Sequence, residues 1–226
     1  YMICVLFDLD GTLTDSAEGI YKSLEYAFEK KGIPTPDADT LRLFIGPPII
    51  DSMQEQCGMT LAEAEEMYGF FKERYDTIGK FENKVYEDVE RMLVTLRQTN
   101  TYVAVATAKP QHLAEQVLEH FGLTKYFEVI KGADQAKGIV HKPQILAEAV
   151  RAMKEFSDDG TKKRITGWYM VGDRKYDMVA AKELGCKAVG VAYGYGSREE
   201  LEAAGADYIC DTPSDVVLNI AVDTLL

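Results

Sequence analysis

The chain has 226 residues and a net charge of −12, from 37 acids against 25 Lys and Arg, with 46% hydrophobic and 27% charged positions. That balance belongs to a folded chain rather than a disordered one, and the length suits one domain with an insertion or two small domains. The negative field repels nucleic-acid phosphates, no apolar run approaches the roughly 20 residues of a membrane helix, and no signal peptide is visible, so the expectation is a soluble cytoplasmic protein with no nucleic-acid or membrane partner.

Residues 2–7 form a short continuous apolar run closed by Asp8 and Gly11, the pattern of a buried strand. From Ser16 to about residue 75 the pattern turns helical. Ile20, Leu24, Ala27 and Phe28 share a face, Gly32 with Pro34 and Pro36 ends that helix, and Gly46-Pro47-Pro48 breaks the chain again before residues 49–57. Thr60 and Glu63 have capping-box spacing ahead of a helix through Met67, Phe70 and Phe71. Beyond residue 81 the periods alternate. Helices are predicted at 89–98, 110–121, 143–156, 176–184, 198–204 and 214–226, with strands at 102–106, 127–131, 168–171, 188–192 and 208–210. Strands alternating with helices imply right-handed crossovers and a mostly parallel sheet covered on both faces. The fold class is α/β, a doubly wound parallel sheet with an α-helical insert after the first strand. Cys4, Cys57, Cys186 and Cys210 have no zinc or disulfide spacing and read as reduced, mostly buried thiols. The run Lys162-Lys163-Arg164 reads as a solvated turn.

Chemistry gathers at strand ends, where open α/β sheets bind ligands. Asp8 and Asp10 stand two apart at the end of the first strand, so they share a face while Leu9 turns into the core. Two acids this close do not ionise independently, which suits one carboxylate nucleophile beside one proton donor. Thr107 ends a second apolar strand, where its hydroxyl and the following N–H, that of Ala108, either bind a phosphate oxygen or form a local cap. Lys142 precedes Pro143 at a helix start, placed as a surface lysine or as a point charge leaning over the sheet edge. Asp173 and Asp177 follow Gly172 with helical i, i+4 spacing, and either stabilise the helix start or bracket a hard cation; with no His or Cys nearby, oxygen donors favour Mg²⁺ over zinc.

Phe7-Asp8-Leu9-Asp10-Gly11-Thr12, Thr107, Lys142 and Gly172-Asp173 with Asp177 resemble motifs I to IV of the haloacid dehalogenase superfamily, across essentially the whole chain. The resemblance implies a Rossmann-like core of residues 1–15 and 81–226, with residues 16–80 as a helical cap. It implies that Asp8 attacks phosphorus to form an aspartyl-phosphate and that Asp10 is the acid and then the base. Thr107, the Ala108 N–H and Lys142 hold the phosphoryl oxygens, and Mg²⁺ is held by Asp8, the Asp10 main-chain carbonyl and Asp173, supported by Asp177. An acid at Asp10 favours phosphoryl transfer over dehalogenation. Among capped members the chain is most similar to phosphoglycolate phosphatase-like proteins, through Asp10-Gly-Thr-Leu-Thr-Asp15-Ser16, Phe44-Ile-Gly-Pro-Pro48 and Ala106-Thr-Ala-Lys-Pro110. It departs from them at Ala108, where Asn is frequent, and at His141-Lys-Pro-Gln-Ile. The implied partner is a small phosphorylated metabolite, with nucleotidases, pyrophosphatases and phosphosugar mutases sharing much of the pattern; the oligomeric state stays open. Arg42, Gly46, Arg74 and Lys80 either face the pocket or are ordinary cap residues, Lys109 lines the entrance or the surface, and the hinges fall near 14–16 and 80–83.

Overall fold

A computed structural model describes residues 1–226. Six parallel strands form one sheet in the order β5-β4-β1-β6-β7-β8, where β1 is Met2–Phe7, β4 Thr101–Pro110, β5 Val129–Ala133, β6 Ile165–Gly172, β7 Lys187–Val191 and β8 Tyr208–Cys210. β1 lies between β4 and β6, so the chain runs outward on one side, then returns and runs outward on the other. The crevice of such a doubly wound sheet opens at this reversal, over the carboxyl end of β1.

Alternation along β1 feeds both faces. Val5 and Phe7 pack with helices α5 (Val89–Arg97), α6 (Gln111–His120) and α10 (Pro213–Asp223), while Cys4 and Leu6 pack with α7 (Lys142–Ser157), α8 (Lys175–Glu183) and α9 (Arg198–Ala203). Leu9 is fully buried in the first of these clusters, as the strand period requires.

Residues 16–80 contribute α1 (Ala17–Lys31), α2 (Ala38–Arg42), α3 (Ile49–Cys57) and α4 (Leu61–Tyr75). They enclose a third apolar cluster, in which Leu24, Phe28, Met53, Met67 and Phe71 meet Leu113 and Tyr195 from the sheet side. Gly32 caps α1 in the left-handed conformation, and the Thr60 hydroxyl accepts from the Glu63 N–H at 3.2 Å to open α4. The chain leaves and re-enters the sheet side through β2 (Thr14–Asp15) and β3 (Lys84–Val85), which pair antiparallel, so both crossings run side by side.

Several boundaries differ from the sequence expectation. β4 continues through Thr107 to Pro110 because it keeps pairing with β5 past the apolar run. Neither β2, β3 nor the five-residue α2 was expected; each is too short to show a period. All four cysteines are free and three are buried. No helix is long and apolar enough to cross a membrane.

Candidate active site

The carboxyl ends of β1, β4 and β6 and the first residue of α7 bring the sequence-identified residues together. β1 delivers Asp8, then Gly11 turns the chain with φ +84, and the Gly11 N–H bonds the Thr14 carbonyl at 2.8 Å. A Cβ at Gly11 would stand 2.1 Å from Asp173 Oδ2, so glycine is required both for the turn and for the approach of β6.

Lys142 sits at the centre, buried, with its ammonium 2.9 Å from Asp8 Oδ1 and 2.9 Å from Asp177 Oδ1 while donating to the Ala106 carbonyl at 3.1 Å. It is not a surface lysine. Asp8 Oδ1 also accepts from the Leu9 N–H at 2.8 Å. Asp173 Oδ2 accepts from the Tyr195 N–H at 2.9 Å and Asp177 Oδ2 from the Arg174 N–H at 3.1 Å. Asp177 thus caps α8 with one oxygen and presents the other to the site.

Asp8, Asp173 and Asp177 can each offer one oxygen, and the three oxygens lie within 4.8 Å of one another, all buried. Burial first, then the Asp177 charge, raise Asp8 to about 7 against the pull of Lys142. Burial, then the charges of Asp8 and Asp177, raise Asp173 well above the ordinary carboxylate range. One ammonium among three buried carboxylates leaves negative charge over. A hard divalent cation with oxygen ligands fits that deficit, and the absence of nitrogen and sulfur donors fits Mg²⁺.

Asp10 turns away from this triad. Its Oδ2 lies 3.3 Å from Lys109 Nζ, and its Oδ1 is buried without a hydrogen-bond partner. Lys109 is itself buried, lines the cavity and donates to the Tyr75 hydroxyl, so it is not a surface lysine. Thr107 Oγ accepts from the Lys109 N–H at 3.2 Å, and Ala108 lines the crevice.

Of the four cap residues named from the sequence, only Gly46 lines the cavity above Asp10. Arg42 donates to the Tyr195 and Gly194 carbonyls at 2.9 and 3.0 Å, Arg74 pairs with Glu82 at 2.7 Å, and Lys80 donates to Gln116 at 2.8 Å. Three residues of the site escaped sequence reasoning. Tyr75 reaches it from the end of α4. Tyr195 holds Asp173 through its N–H and donates its hydroxyl to Asp15 at 2.6 Å. Arg174 grips Glu200 and donates to the Ile45 carbonyl at 2.6 Å. Of these, only Arg174 had a signal, its place inside the Asp173–Asp177 run.

The family model for haloacid dehalogenase-like hydrolases matches residues 5–191, which spans Asp8, Asp10, Thr107, Lys142, Asp173 and Asp177. The chain belongs to that family. Among relatives, a 5'-nucleotidase from Pseudomonas aeruginosa is 33% identical over 206 residues, covering 91% of this chain and 90% of that one. A tyrosine-protein kinase, PtkA of Mycobacterium tuberculosis, is 35% identical over 96% of this chain and 68% of its own, and a phosphoglycolate phosphatase from Vibrio parahaemolyticus is 27% identical over 96% of each. The crystal structure of a predicted phosphatase from Clostridium acetobutylicum superposes with a TM-score of 0.87 at 37% identity, covering 97% and 98% of the two chains. The haloacid dehalogenase-like hydrolase described here is therefore an enzyme with the expected α/β fold, acting on phosphate esters.

Proposed function

We propose that this enzyme is a Mg²⁺-dependent phosphomonoesterase of the cytoplasm that hydrolyses a small phosphorylated metabolite through an aspartyl-phosphate on Asp8. One arrangement carries the reading: Asp8 is held by Lys142 beside the Asp173 and Asp177 carboxylates, with Asp10 two residues on lining a mostly apolar cavity. Residues 16–80 act as the cap, with residues 1–15 and 81–226 as the catalytic core. Four free cysteines suit a reducing compartment.

In the first step an Asp8 carboxylate oxygen forms a bond to phosphorus as the ester P–O bond breaks, and Asp10 gives its proton to the departing oxygen. Lys142, the Thr107 hydroxyl and the Ala108 N–H take the phosphoryl oxygens as charge redistributes over them. In the second step Asp10, now a base, removes a proton from water, which attacks phosphorus and restores the Asp8 carboxylate with release of phosphate. Asp8, the Asp10 main-chain carbonyl, Asp173 and Asp177 would hold Mg²⁺. Bound there, the ion supplies the positive charge that lets a phosphate dianion approach these acids.

Phosphate release from a panel of monoesters with Mg²⁺, with EDTA and with Asp8→Asn tests the reading. Mg²⁺-dependent release abolished in Asp8→Asn is expected; unchanged release in that variant would remove the covalent mechanism. Because one relative is a protein kinase, ATP labelled on its γ-phosphate belongs in the panel. Label transferred to tyrosine in place of free phosphate would sink the hydrolase reading.

A further inference from the structure

A cavity of about 90 Å³ lies between cap and sheet with Asp10 at its floor, and 12 of its 20 lining residues are hydrophobic. Asp10 is the proposed proton donor to the departing oxygen, so the cavity receives the alcohol half of the ester. Resting on the phosphatase reading above, we propose that this leaving group is an uncharged alcohol with a largely apolar body, not a carboxylate-bearing or doubly phosphorylated one.

The walls are Ile20, Phe44, Ile45, Ile49, Phe71 and Leu113. Among the lining residues the acids and bases are Asp10, which carries the proton destined for the departing oxygen, Asp76 and Lys109. That base is already committed, 3.3 Å from Asp10 and donating to the Tyr75 hydroxyl. The two acids each keep one buried oxygen without a partner, Asp10 Oδ1 and Asp76 Oδ1. The remaining donors in the lining, Tyr68, Tyr75 and Gln135, are neutral. Arg42, Arg74 and Lys80, the cations a sequence reader would assign to an anionic substrate group, are bound elsewhere and line no part of the cavity.

A carboxylate on the leaving group, as in 2-phosphoglycolate, or a second phosphate, as in pyrophosphate, would be buried beside the Asp76 carboxylate, with the one cation of the lining already engaged by Tyr75 and Asp10. Burying an unpaired charge in such surroundings is strongly unfavourable. An alcohol exchanges water for apolar walls, and its own hydroxyls can donate to the unpartnered Asp76 oxygen. Two sources share this chemistry, a short aliphatic or polyol phosphate and a nucleoside monophosphate. The second exceeds the cavity and requires the cap to swing outward.

Steady-state kinetics with Mg²⁺ on propyl phosphate, glycerol phosphate, nucleoside monophosphates, 2-phosphoglycolate and pyrophosphate test this. At least one uncharged-alcohol ester should exceed both charged substrates in kcat/KM by about tenfold or more. Which arm wins identifies the source. Asp76→Asn, which removes one acid from the lining, should raise kcat/KM on 2-phosphoglycolate relative to propyl phosphate. If 2-phosphoglycolate or pyrophosphate is the preferred substrate, the leaving-group inference falls and the phosphatase stands. If no ester, including the generic p-nitrophenyl phosphate, releases phosphate, the phosphatase reading falls and takes this inference with it.

Discussion

Lys142 has its ammonium 2.9 Å from two carboxylates and 3.1 Å from a main-chain carbonyl, and all three partners are buried. Burial alone would favour a neutral amine, but Asp177 and Asp8 together outweigh it and hold the pKa above the ordinary lysine value. The side chain is therefore a fixed charge rather than a proton carrier. Lys142→Met should lower phosphate release by about 10²- to 10³-fold, the scale for losing a donor aimed at developing charge. In EDTA, urea denaturation should show it destabilised by about 3–5 kcal/mol, because its acids are left buried and uncompensated. Turnover within a factor of about three of wild type would contradict the role given to it. The sequence placed this lysine at a helix start but could not separate a surface residue from a buried one. Only the approach of β4 and α8 decides which it is.

At the scale of elements, the loop after β7 does more than connect. Tyr195 donates its N–H to Asp173 and its hydroxyl to Asp15 at the first crossing, and its carbonyl accepts from Arg42 of α2. A helix of the inserted segment, a crossing strand and the proposed metal ligand Asp173 thus share one residue. Arg42→Met removes two hydrogen bonds to this loop without touching the carboxylates. Mg²⁺ affinity measured by calorimetry on substrate-free protein should weaken by about tenfold, the low end for outer-shell changes. An unchanged affinity would mean that the loop holds Asp173 without help from α2. None of this was legible in the sequence, because the partners lie 22 to 180 positions apart and β2, β3 and α2 are too short to carry a periodic signal.

For the whole molecule, the helical segment of residues 16–80 and the sheet side are joined by polar ties at several points. Arg174 reaches the Ile45 carbonyl, Lys109 the Tyr75 hydroxyl, and His141 Nε2 stands 2.8 Å from Asp51. Global stability also registers the crowded acids. Asp8 and Asp173 have pKa values raised above those of an unfolded chain, so the metal-free native state binds more protons than the unfolded state below about neutral pH. The slope of unfolding free energy against pH is then negative from roughly 4 to 7. In EDTA the melting temperature should rise as pH falls from about 8 to about 6, and saturating Mg²⁺ should flatten that dependence by stabilising the protein most at the higher pH. A metal-free melting temperature indifferent to pH over that interval would show that the three carboxylates are not mutually strained.

The sequence by itself determined the mostly parallel sheet, the alternation of strands and helices along the chain with the helical insert, and the positions of Asp8, Asp10, Thr107, Lys142, Asp173 and Asp177 at strand and helix ends. Those features are local: a period of two or 3.6, a terminating glycine, an i, i+2 or i, i+4 spacing. The tertiary structure alone decided that Lys109 is buried against Asp10 and Tyr75, that Asp10 faces a cavity rather than the carboxylate triad, and that Arg42, Arg74 and Lys80 turn to other partners. Those outcomes depend on how the helical segment docks over the sheet. Docking is fixed by shape, by burial and by main-chain carbonyls that carry no residue identity, so no spacing in the chain records it.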